Sequence, residues 1–326
     1  MIGPMRAVIV SEPGGPGVLR MVDRESPSPG PGEVVVDVAA AGVNFMDIYS
    51  REGRPPYGRE APFVLGSEGA GTVSAVGGEV AEIRVGDVVA WTGVPESYAE
   101  QVVVPADRAV QVPPGVDVTT AAAVMLQGCT AHYLASSTWP VSDGDVAVVH
   151  AAAGGVGLLL TQIVRLRGGI VVATTSGGQK ADLARDAGAQ HVAVYGDCLG
   201  VVRDVTAGAG ADVVYDGVGK ATFDDGLKAL RRRGLMVLYG AASGPVPPFE
   251  LQRLMTGGSL YLTRPTLGDY IVTRDELVTR TDELFGWIAD GTLRVRIGAT
   301  YRLTDAATAH DDLAGRRTTG KVLLTP

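Results

Sequence analysis

The run Val146-Ala147-Val148-Val149-His150-Ala151-Ala152-Ala153-Gly154-Gly155-Val156-Gly157 carries an apolar, β-branched stretch into a glycine-rich turn. The turn opens into Leu158-Leu159-Leu160-Thr161-Gln162-Ile163-Val164, which reads as a helix. Strand, turn and helix in this order make the site that a dinucleotide pyrophosphate needs. Small residues let the backbone approach the anion, and the helix N-terminus offers N–H groups and a partial positive charge. Gly154, Gly155, Val156 and Gly157 are the expected cradle. The pattern is not the strict G-x-G-x-x-G, because Ala152 takes the place of the first glycine. A purely structural tight turn is the competing reading.

The second strand of such a unit decides which dinucleotide fits. An Asp or Glu about 20 residues past the glycines would hold the ribose hydroxyls of the unphosphorylated cofactor. Here that strand ends Val172-Ala173-Thr174-Thr175-Ser176-Gly177-Gly178-Gln179-Lys180, with no carboxylate at its tip. The Ser176 hydroxyl and the Lys180 cation suit a 2′-phosphate. Lys180 could instead be a solvated lysine, but a helix N-terminus is already positive and disfavours a cation. Lysines are scarce, only Lys180, Lys220, Lys228 and Lys321, which makes each worth attention. The expected cofactor is therefore NADPH.

The elements that must position these residues follow from the rest of the chain. Its 326 residues suggest two domains. The first third is β-rich: Met5 to Val10, Glu33 to Val38, Gly69 to Val76, Asp87 to Trp91 and Tyr98 to Val104 read as strands between Gly/Pro turns. Thr119 to Leu134 has a helical pattern. Strands are then expected at Asp145–Val149, Ile170–Thr174, His191–Tyr195, Asp212–Tyr215 and Leu235–Tyr239, with a sixth at Ser259–Thr263. Helices between them fall near Gly157–Arg167, Gln179–Ala187, Leu199–Ala207 and Ala221–Arg232. This alternation argues an α/β fold with a doubly wound parallel sheet. In the tail, Thr273-Arg274-Asp275-Glu276 is a capping box opening a helix that Gly291 stops. Val295–Tyr301 and Gly320–Thr325 read as strands.

Composition narrows the partners. A net charge of −8 disfavours nucleic acid. No apolar run reaches the ~18 residues of a membrane span, and the N-terminus lacks a signal-peptide pattern. Only two cysteines occur, Cys129 and Cys198, which argues against a disulfide framework or a thiolate zinc site and favours a cytoplasmic setting. His150, at the strand end, reads as structural.

The chain resembles the medium-chain dehydrogenase/reductase superfamily, and within it the zinc-free quinone oxidoreductases of the zeta-crystallin-like branch. The resemblance rests on Gly42-Val43-Asn44-Phe45-Met46-Asp47, Gly66-Ser67-Glu68-Gly69-Ala70-Gly71, Gly86-Asp87-Val88-Val89, the Ala151–Gly157 turn, Val214-Tyr215-Asp216-Gly217-Val218-Gly219, Arg232-Arg233-Gly234-Leu235-Met236-Val237 and Gly258-Ser259-Leu260-Tyr261-Leu262-Thr263-Arg264-Pro265. It implies a Rossmann NADPH-binding domain at 120–263 and a β-rich GroES-like barrel domain from 1–119 and 264–326. The zinc enzymes of the superfamily ligate metal at positions that here hold Asn44, Ser67 and Leu126, none a good zinc ligand. Cys129 is offset from the third position, and the four-cysteine structural lobe is missing between Trp91 and Tyr98. No metal is therefore expected.

Residue by residue, the resemblance places Asn44, Tyr49, Tyr57 and Arg264 at the substrate across an interdomain cleft, with Thr130 near the nicotinamide. It puts Lys180, Tyr195 and Arg316 at the adenosine phosphate or ring, and Tyr239 along the cofactor. Asn44 could also cap the helix entered by Phe45-Met46-Asp47-Ile48. Tyr49 and Tyr57 could be ordinary wall aromatics, and Arg264 could pair with Glu68 or Asp47. The implied activity is hydride transfer from NADPH to a quinone. Reduction of an enone or alkenal and a non-catalytic NADPH-binding role are the alternatives. A homodimer is expected through the apolar edge strand Ser259–Thr263.

Overall fold

The structure, a computed structural model, describes residues 4–326. Its contacts divide the chain into two units, one of the residues up to Leu126 with Ile271–Pro326, the other of Gln127–Tyr270.

The first unit begins with β1 (Pro4–Val10), β2 (Leu19–Glu25) and β3 (Glu33–Val43). Helix α1 (Phe45–Arg51) follows at once, then β4 (Phe63–Val64), β5 (Glu68–Val76), β6 (Val88–Thr92), β7 (Gln101–Pro105) and β8 (Val110–Gln111). β3 runs five residues beyond the expected Val38. Its first half pairs with β7 and its end with the last strand of the chain, while β5 lies along its other side. Small residues at Ala39–Gly42 allow that crowding. Strand β2 was not apparent in the sequence, because Arg20, Asp23, Arg24 and Glu25 break its alternation. It forms through full antiparallel pairing with β1, Ala7 opposite Val22. Apolar side chains from β1, β3, β5, β6 and β7, including Val34, Val36 and Trp91, fill the core of this unit together with Tyr98.

Helix α2 (Val118–Tyr133) carries the chain into the second unit. There β9 (Val146–Val149), α3 (Gly155–Leu166), β10 (Ile170–Thr175), α4 (Gln179–Asp186), β11 (His191–Val194), α5 (Cys198–Val205), β12 (Ala211–Asp216), α6 (Phe223–Ala229), β13 (Leu230–Leu238), α7 (Gln252–Thr256) and β14 (Tyr261–Thr263) alternate. The strands form a parallel sheet in the order β11-β10-β9-β12-β13-β14. Every residue of β9 is buried, as its unbroken apolar run leads one to expect of a central parallel strand. One segment departs from the sequence reading. Helix α6 ends at Ala229, and Arg231–Arg233 belong to β13. Arg231 Nε donates to Asp212 Oδ1 at 2.6 Å, which draws the arginine run onto the edge of β12.

The chain returns to the first unit through α8 (Arg274–Ala289), β15 (Ile297–Arg302), α9 (Ala306–Ala314) and β16 (Lys321–Thr325). The capping box of α8 is present: Glu276 N–H donates to Thr273 Oγ1 at 3.2 Å, and Thr273 N–H donates to Glu276 Oε2 at 3.0 Å. Gly291, at φ 80°, ends the helix. β15 and β16 complete the sheet β15-β16-β3-β5-β6-β8, to which β7 adds through β3.

Candidate active site

The glycine-rich turn follows β9 directly. Ala151 takes φ 53°, and Gly154 N–H closes the turn onto Ala151 O at 2.9 Å. Leu158 N–H gives α3 its first intrahelical bond, to Gly154 O, so the N–H groups of Gly155, Val156 and Gly157 precede the ladder. A side chain on Gly157 would run into Ala151 O and the backbone of Ala152. That is the close helix–strand packing for which the third glycine of a dinucleotide fingerprint is needed. A side chain on Gly155 would run into the Gln127 amide. The turn is thus a tight backbone cradle at a helix N-terminus, and its residues fit a pyrophosphate. Gln127 was missed in the sequence reading, since nothing in its own neighbourhood reports a contact made across the fold.

The tip of β10 turns sharply into α4. Thr175 is buried, and its Oγ1 accepts Gly177 N–H at 3.0 Å. Gly177 and Gly178, at φ 87° and 56°, swing the chain into α4. Ser176 is exposed on this loop and Lys180 stands in the first turn of the helix. The nearest acid in sequence, Asp182, pairs with Arg185 at 2.8 Å. Tyr195 follows β11, its N–H bonded to Thr175 O at 3.2 Å and its ring 6.4 Å from that of His150. His150 is buried, with Nδ1 2.7 Å from Thr174 Oγ1, and burial lowers its pKa. Tyr239 packs against Gly217, and burial raises its phenol pKa. Thr130 is buried on α2. The fold therefore gathers the cradle, the β10 tip, Tyr195 and Tyr239 at the carboxyl ends of the parallel strands, the usual ligand face of such sheets. Arg264 lies just after β14 and donates to Pro265 O at 3.2 Å. Arg316 lies in the first unit, in the turn after α9, at φ 57°.

In the first unit, Asn44 is the residue between β3 and α1, and Asp47 Oδ2 accepts its backbone N–H at 2.8 Å. Asn44 and Asp47 close a capping box at the start of α1, and the Asn44 side chain also meets a buried pair. Its Nδ2 donates to Glu68 Oε1 at 2.6 Å, and Lys321 Nζ donates to Asn44 Oδ1 at 3.0 Å and to Glu68 Oε1. Tyr49 and Tyr57 meet with ring centroids 5.6 Å apart, and the Arg54 guanidinium lies 5.4 Å over the Tyr49 ring. Tyr49 and Tyr57 are thus brought together, and Asn44 stands at the start of the helix that carries Tyr49.

A second buried chain of bonds anchors that helix. An arginine can only donate, so Arg51 Nη1, 3.1 Å from His310 Nδ1, makes that nitrogen the acceptor. His310 Nε2 then carries the proton toward Tyr98 Oη at 3.2 Å, and Tyr98 donates to Asp47 Oδ2 at 3.1 Å. Burial pushes the Asp47 carboxyl up to about 7, against the lowering pull of the Asn44 N–H and Lys321. Burial and the neighbouring Arg51 push His310 down to about 3. Among the described residues, no three His, Cys, Asp or Glu side chains stand together as a metal set. Asn44 and Glu68 are already committed to Lys321. Arg51 and His310 gave no sequence signal, and the scarcity of lysine did not single out Lys321.

Comparison with known proteins identifies the family. Residues 30–114 match the family model of the alcohol dehydrogenase GroES-like domain, and residues 187–324 match that of the zinc-binding dehydrogenases. A quinone oxidoreductase of Pseudomonas aeruginosa is 45% identical over 316 residues, 96% of this chain and 97% of that protein. The chain belongs to the zinc-free quinone oxidoreductase branch of the medium-chain dehydrogenase/reductase superfamily. Within similar reach is a 2-haloacrylate reductase of a Burkholderia species, 38% identical over 98% of both chains. A mycobacterial structure complexed with NADPH superposes with a TM-score of 0.95 at 48% identity, covering 99% of this chain and 100% of the other. The two-part fold expected from the branch is the fold observed.

Proposed function

We propose that the protein is an NADPH-dependent quinone oxidoreductase. The observation that carries this reading is the pairing of a tight pyrophosphate cradle at α3 with a β10 tip that lacks a carboxylate and presents Ser176 and Lys180. The quinone comes from the similarity to the Pseudomonas aeruginosa enzyme. Bound NADPH supplies the hydride. The chain's residues bind and orient: Gly154, Gly155, Val156 and Gly157 face the pyrophosphate, and Ser176 and Lys180 the 2′-phosphate. Thr130, Tyr195, Tyr239 and Arg316 complete the cofactor contacts. Asn44, Tyr49, Tyr57 and Arg264 hold the acceptor and donate to its developing oxyanion. A quinone needs no Lewis acid, because its carbonyls already withdraw the electrons. The reaction is therefore proposed to be zinc-independent.

The likeness to the 2-haloacrylate reductase favours a second reading, reduction of an activated carbon–carbon double bond. Assays of NADPH and NADH at equal concentration against a set of quinones and enones separate the two. NADPH oxidation that is fast with quinones is the expected result. Turnover confined to enones would transfer the protein to the second reading, and turnover with neither would refute both.

Two further features complete the proposal. β14 is an edge strand with Tyr261 exposed, and Leu251, just before α7, and Met255, on it, are exposed nearby in sequence. We assign this edge to a homodimer contact, in line with the cost of leaving an apolar edge open. No helix among the described residues is long and apolar enough to cross a membrane. Both cysteines are free and buried, which suits a cytoplasmic location.

A further inference from the structure

Lys321, Glu68 and Asn44 are 1%, 0% and 5% exposed. Strand register brings them together. Val322 pairs with Val43 and Ala41 with Gly69, so the start of β16, the start of β5 and the end of β3 coincide. A fourth element joins through Leu126 N–H of α2, which donates to Glu68 Oε2 at 2.7 Å. Gly42 has no side chain where one would strike both Glu68 Oε1 and Lys321 Nζ.

The chemistry of the three groups fixes the amide. Lysine only donates, so the Asn44 atom facing it is Oδ1. Carboxylate only accepts, so the atom facing it is Nδ2. Neither orientation can invert without setting donor against donor in a dry interior, which costs far more than a normal hydrogen bond contributes. Two acceptor oxygens, from Asn44 and Glu68, converge on the one ammonium, as ligands converge on a metal ion.

We propose that Lys321 is a positioning residue for the reaction: its ammonium is the resident cation that sets the Asn44 amide and, through the first residue before α1, the placement of Tyr49. The inference rests on the reading that Asn44 and Tyr49 serve the acceptor. Lys321 itself touches neither cofactor nor substrate in this role.

The test is Lys321→Ala, assayed with NADPH and a quinone, with and without propylammonium chloride, and with sodium chloride at the same ionic strength as control. The expected result is a loss of about tenfold or more in kcat. NADPH affinity by fluorescence stays within about threefold, and propylammonium, not sodium, restores part of the rate. Truncating one partner of a buried ion pair is strongly destabilising. If Lys321→Ala does not fold, the double variant Glu68→Gln/Lys321→Met removes both charges. It should fold, retain NADPH affinity and still lose kcat. A folded variant at the wild-type rate overturns the inference, as does a loss of NADPH affinity that parallels the loss of kcat, or a rate that sodium restores equally. Absence of quinone turnover in the wild-type protein would overturn the functional reading and this inference with it, an outcome distinct from all of these.

Discussion

Tyr98 donates its phenol proton to Asp47 at 3.1 Å, and both residues are buried. The same phenol oxygen receives His310 Nε2, so one hydroxyl couples two groups whose protonation burial drives in opposite directions. The consequence is a defined pH dependence of stability. His310 is lowered from 6.5 to about 3, so its contribution is full above pH 6.5 and is lost as the pH falls. Asp47 is raised from 3.8 to about 7, so its contribution is full below pH 3.8 and is lost as the pH rises through 7. Between about pH 4 and 6.5 the two slopes oppose each other. His310→Gln should unmask the Asp47 slope. The stability difference between wild type and variant, from urea unfolding, should widen by about 1.4 kcal/mol per pH unit between pH 4.5 and 6.5. A difference that stays constant with pH would refute the assignment of His310.

The glycine-rich turn makes a graded prediction. A methyl at Gly157 would overlap the Ala151 carbonyl and the Ala152 backbone, which cannot move without shifting α3 from β9. At Gly154 it would stand 3.2 Å from Ala151 O, a contact that a small shift relieves. Gly157→Ala should weaken NADPH at least about tenfold and lower the melting temperature, while Gly154→Ala has the smaller effect on both. Equal effects, measured by fluorescence titration and thermal melts, would mean that the cradle does not depend on this packing.

Lys180→Ala tests the proposed contact to the 2′-phosphate. One charge-assisted phosphate contact is worth on the order of 1.4 kcal/mol, so KM for NADPH should rise about tenfold while KM for NADH hardly changes. An equal rise for both cofactors would remove Lys180 from the 2′-phosphate.

Zinc independence has a direct measurement. Dialysis against a strong chelator should leave turnover intact, and elemental analysis should find no stoichiometric zinc, because Asn44 and Glu68 already ligate an ammonium. Turnover lost on dialysis and restored by zinc would contradict this.

The parts legible in the sequence were those encoded by neighbours. The β9 run, the turn after it, the acid-free β10 tip and the α8 capping box each depend on residues a few positions apart, and the structure places them where local pattern puts them. The Lys321–Glu68 pair spans 253 residues and forms only because three strand ends coincide. The Arg51–His310 contact spans 259. No periodicity reports such contacts. β2 escaped for the related reason that its charged residues are tolerated by pairing with β1 rather than by a buried face.

The last prediction concerns the acceptor. Tyr49 and Tyr57 lie face to tilted face at 42°, with Arg54 stacked on Tyr49, so the Tyr49 ring is held while its hydroxyl is the group removed by Tyr49→Phe. If Tyr49 and Arg264 donate to developing negative charge, Tyr49→Phe and Arg264→Ala should lower turnover without moving NADPH affinity by more than about threefold. A donor aimed at such charge is worth ~2.7–4 kcal/mol in a preorganised site. A quinone delocalises the charge itself and should lose only about tenfold. An enone should lose more, because its enolate must be both stabilised and protonated. Parallel kcat measurements on one quinone and one enone give the comparison. The assignment fails if both substrates are unaffected, and the donor role fails if the quinone suffers more than the enone.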